Sequence, residues 1–156
     1  NDGTLITGKT SNLLGASSAS LINALKHLSG IDSDTLLISP EFIEPIQRLK
    51  VNHLGNHNPR LHTDEVLIAL SICSATNENV ALALEQLPKL YGCEFHSTVI
   101  ISEIDLKTLK KLGVNITCEP KLKSKKIKSF LSYLPTIISK VAHVHKFKLF
   151  TNKSNK

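Results

Sequence analysis

The chain has 156 residues, 41% of them hydrophobic and 21% charged, so it can bury a real core and wholesale disorder is excluded. Aromatic residues are only 4%, which makes that core aliphatic, and no apolar run approaches the ~20 residues that span a bilayer. The net charge of +6 is uneven: residues 1–120 hold seven Lys and two Arg against thirteen acids, net −4, whereas residues 121–156 hold ten Lys and no acid. Basicity is therefore a property of the tail, and it does not argue for a nucleic-acid partner.

These patterns divide the chain into an α/β body, residues 1–120, and a basic tail, residues 121–156, helical or disordered. The first residue is Asn and nothing near it resembles a signal peptide, which reads as a piece of a larger or processed cytoplasmic product. Cys73, Cys93 and Cys118 form no C-x-x-C pair, so neither a disulfide framework nor a structural zinc site is expected.

Thr4–Thr7 is expected to be a short strand. A helix follows from about Ser17 to Ser29, with Leu21, Ile22, Leu25 and Leu28 on one face and Gly30 as its stop. Thr35–Ile38 reads as a buried strand, and Ser39-Pro40-Glu41 as the start of the next helix. After a polar loop over Asn52–Leu61, helices are expected from about Thr63 to Ala75 and from Glu78 to Leu87. His96–Ser102 reads as a strand, Glu103–Leu112 as a helix stopped by Gly113, and Val114–Cys118 as a last strand. The spacing of Leu36–Val51 is echoed in Val99–Val114, which suggests two similar strand–helix units and hence a mainly parallel sheet in an α/β/α arrangement. In the tail, Ile127, Phe130, Leu131, Leu134, Ile138 and Val141 follow a helical stripe flanked by Lys. The tail is read as an extension, with liposome attachment as a lesser alternative.

Gly3–Thr10 matches the G-x-x-x-x-G-K-[ST] phosphate-loop pattern, but only two residues precede Gly3 and Leu5-Ile6 looks like the strand itself, so a strand and polar turn is the preferred reading. Gly15–Ser20 could hold an anion at a helix start or let that helix pack closely, and close packing is preferred. The richest segment is Asn52–Glu65, with three His, three Asn, one Arg and two acids in fourteen residues. His titrates near neutral pH, and Asn and Arg suit phosphate or carboxylate. His53, His57 and His62 are thus candidate general acid/base groups. Asn56, Asn58, Arg60 and Asp64 are candidate ligand contacts, with Lys9 and Thr10 added from the first turn. The spacing fits no strong zinc signature, so no metal site is assigned and the cofactor is left open.

Long runs of residues resemble a known bacterial family. They are Thr7-Gly8-Lys9-Thr10-Ser11, Leu13–Ala19, Ile38-Ser39-Pro40-Glu41, His53–Val66 and Leu84-Glu85-Gln86-Leu87-Pro88. Over about residues 2–120 the chain resembles the C-terminal part of domain-of-unknown-function family 1846, also called uncharacterised protein family 0371. The resemblance implies a cytoplasmic, layered α/β/α unit from a much longer chain whose N-terminal portion would be a partner here. It implies no established activity. Some members carry an ATP-dependent zinc protease label, which these residues do not support. The chain departs from the family after about Ser129, as a read-through or gene fragment would.

The favoured expectation is a domain that binds, or acts on, a small polar or phosphorylated molecule at the strand ends through the His/Asn/Arg-rich loop. The alternative is a non-catalytic assembly module, in which the apolar helices around 63–75 and 78–87 bury a subunit or interdomain face. A second copy of the chain is then a candidate partner.

Overall fold

A computed structural model describes residues 3–119 and the strand Val144–Lys148. The elements in chain order are β1 (Leu5–Lys9), α1 (Ala16–Ser29), α2 (Pro40–Asn52), α3 (Thr63–Cys73), α4 (Glu78–Leu84), a short 3-10 turn (Leu87–Leu90), β2 (Glu94–Ser97), α5 (Glu103–Lys111), β3 (Asn115–Cys118) and β4 (Val144–Lys148). The sheet order is β1-β4-β2-β3. β2 and β3 are parallel, and β4 runs antiparallel to both β1 and β2, so β1, β2 and β3 all point the same way. The architecture is α/β, as the element pattern implied. Within the tail the described residues form a strand, and the helical stripe expected over 127–141 lies outside the described residues.

Local chemistry explains most boundaries. α1 stops at Gly30, whose φ of 69° lies in the left-handed region that costs a β-carbon-bearing residue energy. α4 begins where the Asn77 side chain accepts from the backbone of Asn79 and Val80, and α5 where Ser102 Oγ accepts from Asp105 N. α5 is the crossover that lets β2 and β3 run parallel. α1 packs along β1, α5 against β3, and α3 touches α1, α4 and α5. The core between them is aliphatic apart from Phe95, with Leu21, Leu25, Leu61, Leu70, Leu90 and Leu109 fully buried.

Two expectations are corrected. Thr35–Ile38 is not a strand. Buried Lys26 Nζ takes one of its carbonyls, donating to Thr35 O as well as to Ser33 O just before the segment. Leu37 and Ile38 still enter the core, so the apolar signal was real and the backbone state was not. The echo between Leu36–Val51 and Val99–Val114 is therefore a shared loop–helix pattern. Val99–Ile101 also leaves the sheet: β2 ends at Ser97, whose Oγ donates to Val99 O at 2.5 Å and accepts from Val99 N at 3.1 Å. The Gly3–Thr10 pattern is a strand and not a phosphate loop, the reading preferred from sequence, because its middle is β1 itself. Gly8 serves packing there: a β-carbon at this position would fall on the backbone nitrogen of Ser20 in α1.

Candidate functional site

The His-rich segment divides sharply at Asn58. α2 continues through Asn52 and His53 closes it, its N–H bonded to Leu49 O at 3.1 Å. Gly55, at φ 70°, turns the chain so that Asn56 N reaches Lys50 O at 3.0 Å. His53, Asn56 and His57 project from this turn and are exposed. From Arg60 onward the chain is pinned against the start of α1. Leu61 N bonds Leu13 O at 3.0 Å, Gly15 N bonds Leu61 O at 3.2 Å, and buried Ser18 Oγ donates to Leu61 O at 2.8 Å. Arg60 is oriented by its Nε, which donates to Ser11 O at 2.6 Å, and its backbone N–H is held by Asn58 Oδ1 at 3.2 Å.

His62 caps α3. Glu65 Oε2 accepts from His62 N at 2.8 Å and from Lys50 Nζ at 2.7 Å, and the same ammonium donates to Arg60 O at 2.7 Å. Lys50 is 3% exposed, so this buried cation ties α2 to both sides of the turn. The imidazole meets α5. His62 Nδ1 lies 3.2 Å from Asp105 Oδ2 and 3.3 Å from Ser102 Oγ. Asp105 is buried and fully engaged: Oδ1 accepts from Thr63 N at 2.8 Å, and Oδ2 accepts from Ser102 Oγ at 2.7 Å.

The hydrogen bond to Asp105 raises the His62 pKa above the ordinary 6.5, against the opposing effect of burial. Burial pushes the Asp105 carboxyl up, but the bonds from His62, Ser102 and the Thr63 N–H outweigh it and hold the group below the ordinary 3.8. Below the raised His62 pKa the two form an imidazolium–carboxylate pair. On loss of the cationic proton, Asp105 keeps the remaining one on Nδ1, which leaves Nε2 as the basic nitrogen.

This pair borders an open cleft of about 210 Å³. Gly15, Ala16 and Ser17 at the N-terminus of α1 line it, with His62 at the N-terminus of α3 and Ser102 and Asp105 at that of α5. Thr10, just past β1, and Val99–Ile101, just past β2, close its floor, so the cleft sits at the carboxyl ends of the parallel strands. The N-terminus of α1, with no acid in its first turn, and Arg60 border this space and favour an anion, whereas the first turns of α3 and α5 already carry acids of their own, Asp64 and Glu65, and Glu103 and Asp105.

Of the residues expected from sequence, Thr10, Asn58, Arg60 and His62 line this cleft. His53, Asn56, His57 and Lys9 are exposed and do not line it, and Asp64 instead accepts from Glu65 N at 2.8 Å. Ser102 and Asp105 were missed. Their sequence signal is the S-x-x-D pattern of a helix start, which normally means no more than a cap. Nothing in one dimension tells that the carboxylate faces a histidine 43 residues away. Among the described residues no three His, Cys, Asp or Glu side chains are grouped to hold a metal, and no helix is long and apolar enough to cross a membrane.

Comparison with known proteins places this geometry in a family. The family model described as "Domain of unknown function DUF1846, C-terminal" matches residues 1–127. A UPF0371 protein of Corynebacterium urealyticum is 60% identical over 120 residues, covering 77% of this chain and 24% of the relative. A UPF0371 protein of Corynebacterium diphtheriae is 56% identical over 126 residues, 81% of this chain and 25% of the relative. One from Streptococcus pyogenes is 56% identical over 119 residues, 76% and 24% respectively. The chain spans about a quarter of the length of these curated relatives, and its longer counterparts carry sequence that it does not match. Residues 1–127, with the cleft and every side chain that forms it, belong to the C-terminal part of the DUF1846 family.

Proposed function

We propose that the cleft binds a small molecule through a phosphate or carboxylate group, and that His62 acts on it as a general acid/base. The observation that supports this reading is the meeting of three helix N-termini, Arg60 and the His62–Asp105 pair at the carboxyl ends of β1 and β2. Arg60, anchored by its Nε at the edge of the cleft, has further guanidinium N–H groups to offer an anion. His62, with its raised pKa, adds positive charge near neutrality and is poised to give a proton to a leaving or developing negative oxygen. Asp105 and Ser102 hold the ring in place. His53 and His57 have no part in this reading, because they stand on the exposed turn.

Thermal unfolding with added inorganic phosphate tests the binding half. With phosphate tenfold above its Kd, mass action stabilises the chain by about 1.4 kcal/mol. The midpoint should rise for the unmodified chain and not for Arg60→Ala. No shift with phosphate, sulfate or small carboxylates would remove the reading.

A second reading, an assembly module, has its own observation. Ile68 and Ile72 on α3 and Leu82 on α4 are exposed, as are Phe42 and Leu49 on α2. Light scattering on the chain and on a full-length relative separates the readings: oligomers dispersed by Ile68→Asp and Ile72→Asp, with no response to anions, would favour assembly.

A further inference from the structure

The sheet holds a strand that the family match does not include. The family match ends at residue 127, whereas β4 is Val144–Lys148. β4 stands between β1 and β2, paired with both. Among the described residues it is also β1's sheet partner on its one paired edge.

The two strands beside β4 also have anchors among the matched residues. β1 is held by α1: Asn23 Nδ2 donates to Thr7 O at 2.8 Å, and Gly8 seats directly on the Ser20 backbone. β2 is held by its parallel pairing with β3 and by Phe95, which is fully buried. All of these residues lie within the family match. The matched residues therefore fix two strands pointing the same way with one strand's width of space between them, two spacings of about 4.8 Å. An empty space there would leave facing rows of backbone N–H and C=O groups without partners inside a sheet, which folded proteins do not tolerate.

We infer that the space between β1 and β2 is a strand-acceptor slot. In the longer family members a strand from the three quarters of their length that this chain does not match fills it, and in this chain Val144–Lys148 fills it as a substitute. Relatives 60% identical over the matched part keep the same framework, and so the same slot. The match covers 24% of such a relative, which leaves ample sequence to supply the strand. Occupation is by main-chain hydrogen bonds, so strands of unrelated sequence can serve. This explains how a tail outside the family match can complete a family sheet.

Hydrogen exchange on the full chain tests the slot. Adjacent residues of a central strand turn their N–H groups toward opposite neighbours, so Lys146→Pro with Phe147→Pro removes a bond to each side. In the double variant the amides of Leu5–Lys9 should exchange at least about 100-fold faster than in the unmodified chain, while those of α3 keep their protection. Overlapping peptides drawn from the unmatched length of the Corynebacterium urealyticum relative are then added. One contiguous stretch should restore protection to Leu5–Lys9, and a peptide of residues 142–150 of this chain should compete with it. If α3 also loses protection, Lys146→Pro alone is used. Unchanged protection of Leu5–Lys9 in a folded variant would show that β4 does not fill the slot. Failure of every peptide from the relative would show that its natural occupant is not a strand of the family chain. Either result overturns the inference.

Discussion

Asp105 accepts hydrogen bonds from a hydroxyl, an imidazole and a backbone N–H that belong to the start of two different helices. That makes it the joint between α3 and α5 as well as the partner of His62. The pH dependence follows from the two shifts. His62 has a raised folded pKa, so its contribution is full below 6.5 and is lost as pH rises through the raised value. Asp105 has a lowered one, so its contribution is full above 3.8 and is lost as pH falls through the lowered value. Both are fully present between 3.8 and 6.5. Asp105→Asn should therefore cost stability most in that window, by about 1–3 kcal/mol. Denaturant melts at several pH values measure it. The same variant should bring the His62 pKa down, read from its imidazole proton shifts by NMR; an unmoved His62 titration would show that the pair does not form in solution.

At the scale of elements, what sets the site is how closely α1 approaches β1. Gly8 lets the backbone of Ser20 come into contact with the strand, which brings Gly15, Ala16 and Ser17 to the cleft. Gly8→Ala should push the helix away and destabilise the chain by about 1–3 kcal/mol, as overpacking does. Calorimetry checks this, and the phosphate response should weaken with it, because the α1 N-terminus moves. The helices themselves were legible because their signals are local: Gly30 after α1, Asn77 before α4 and Ser102 before α5 act on neighbours in sequence. The segment Thr35–Ile38 was not legible. A short apolar run becomes a strand only if another strand is beside it, and here Lys26 bonds the Thr35 carbonyl instead.

For the whole molecule, charge in the cleft predicts a linked response. Sulfate remains a dianion across the accessible range, so any pH dependence of its effect belongs to the protein. Because His62 is cationic below its raised pKa, sulfate should stabilise the chain more at pH 6 than at pH 9. Thermal melts at both values check it, and His62→Gln should flatten the difference. A pH-independent sulfate effect would separate the anion site from the imidazole.

The sequence by itself determined that the chain is an aliphatic α/β domain of this family with an oppositely charged tail, and that polar residues concentrate around Arg60 and His62. Those features are written in composition, helix-end chemistry and contiguous words of sequence, all of which act locally. Only the tertiary structure decided which histidine reaches the cleft. His53, His57 and His62 look alike in one dimension, yet α2 carries the first two out to the exposed turn, while the ties of Leu61 to Leu13 and Gly15 turn the third toward Asp105. It also decided that the tail supplies a strand. Pairing across a sheet depends on which edges are left open in space, and an open edge has no signature in the residues that will fill it.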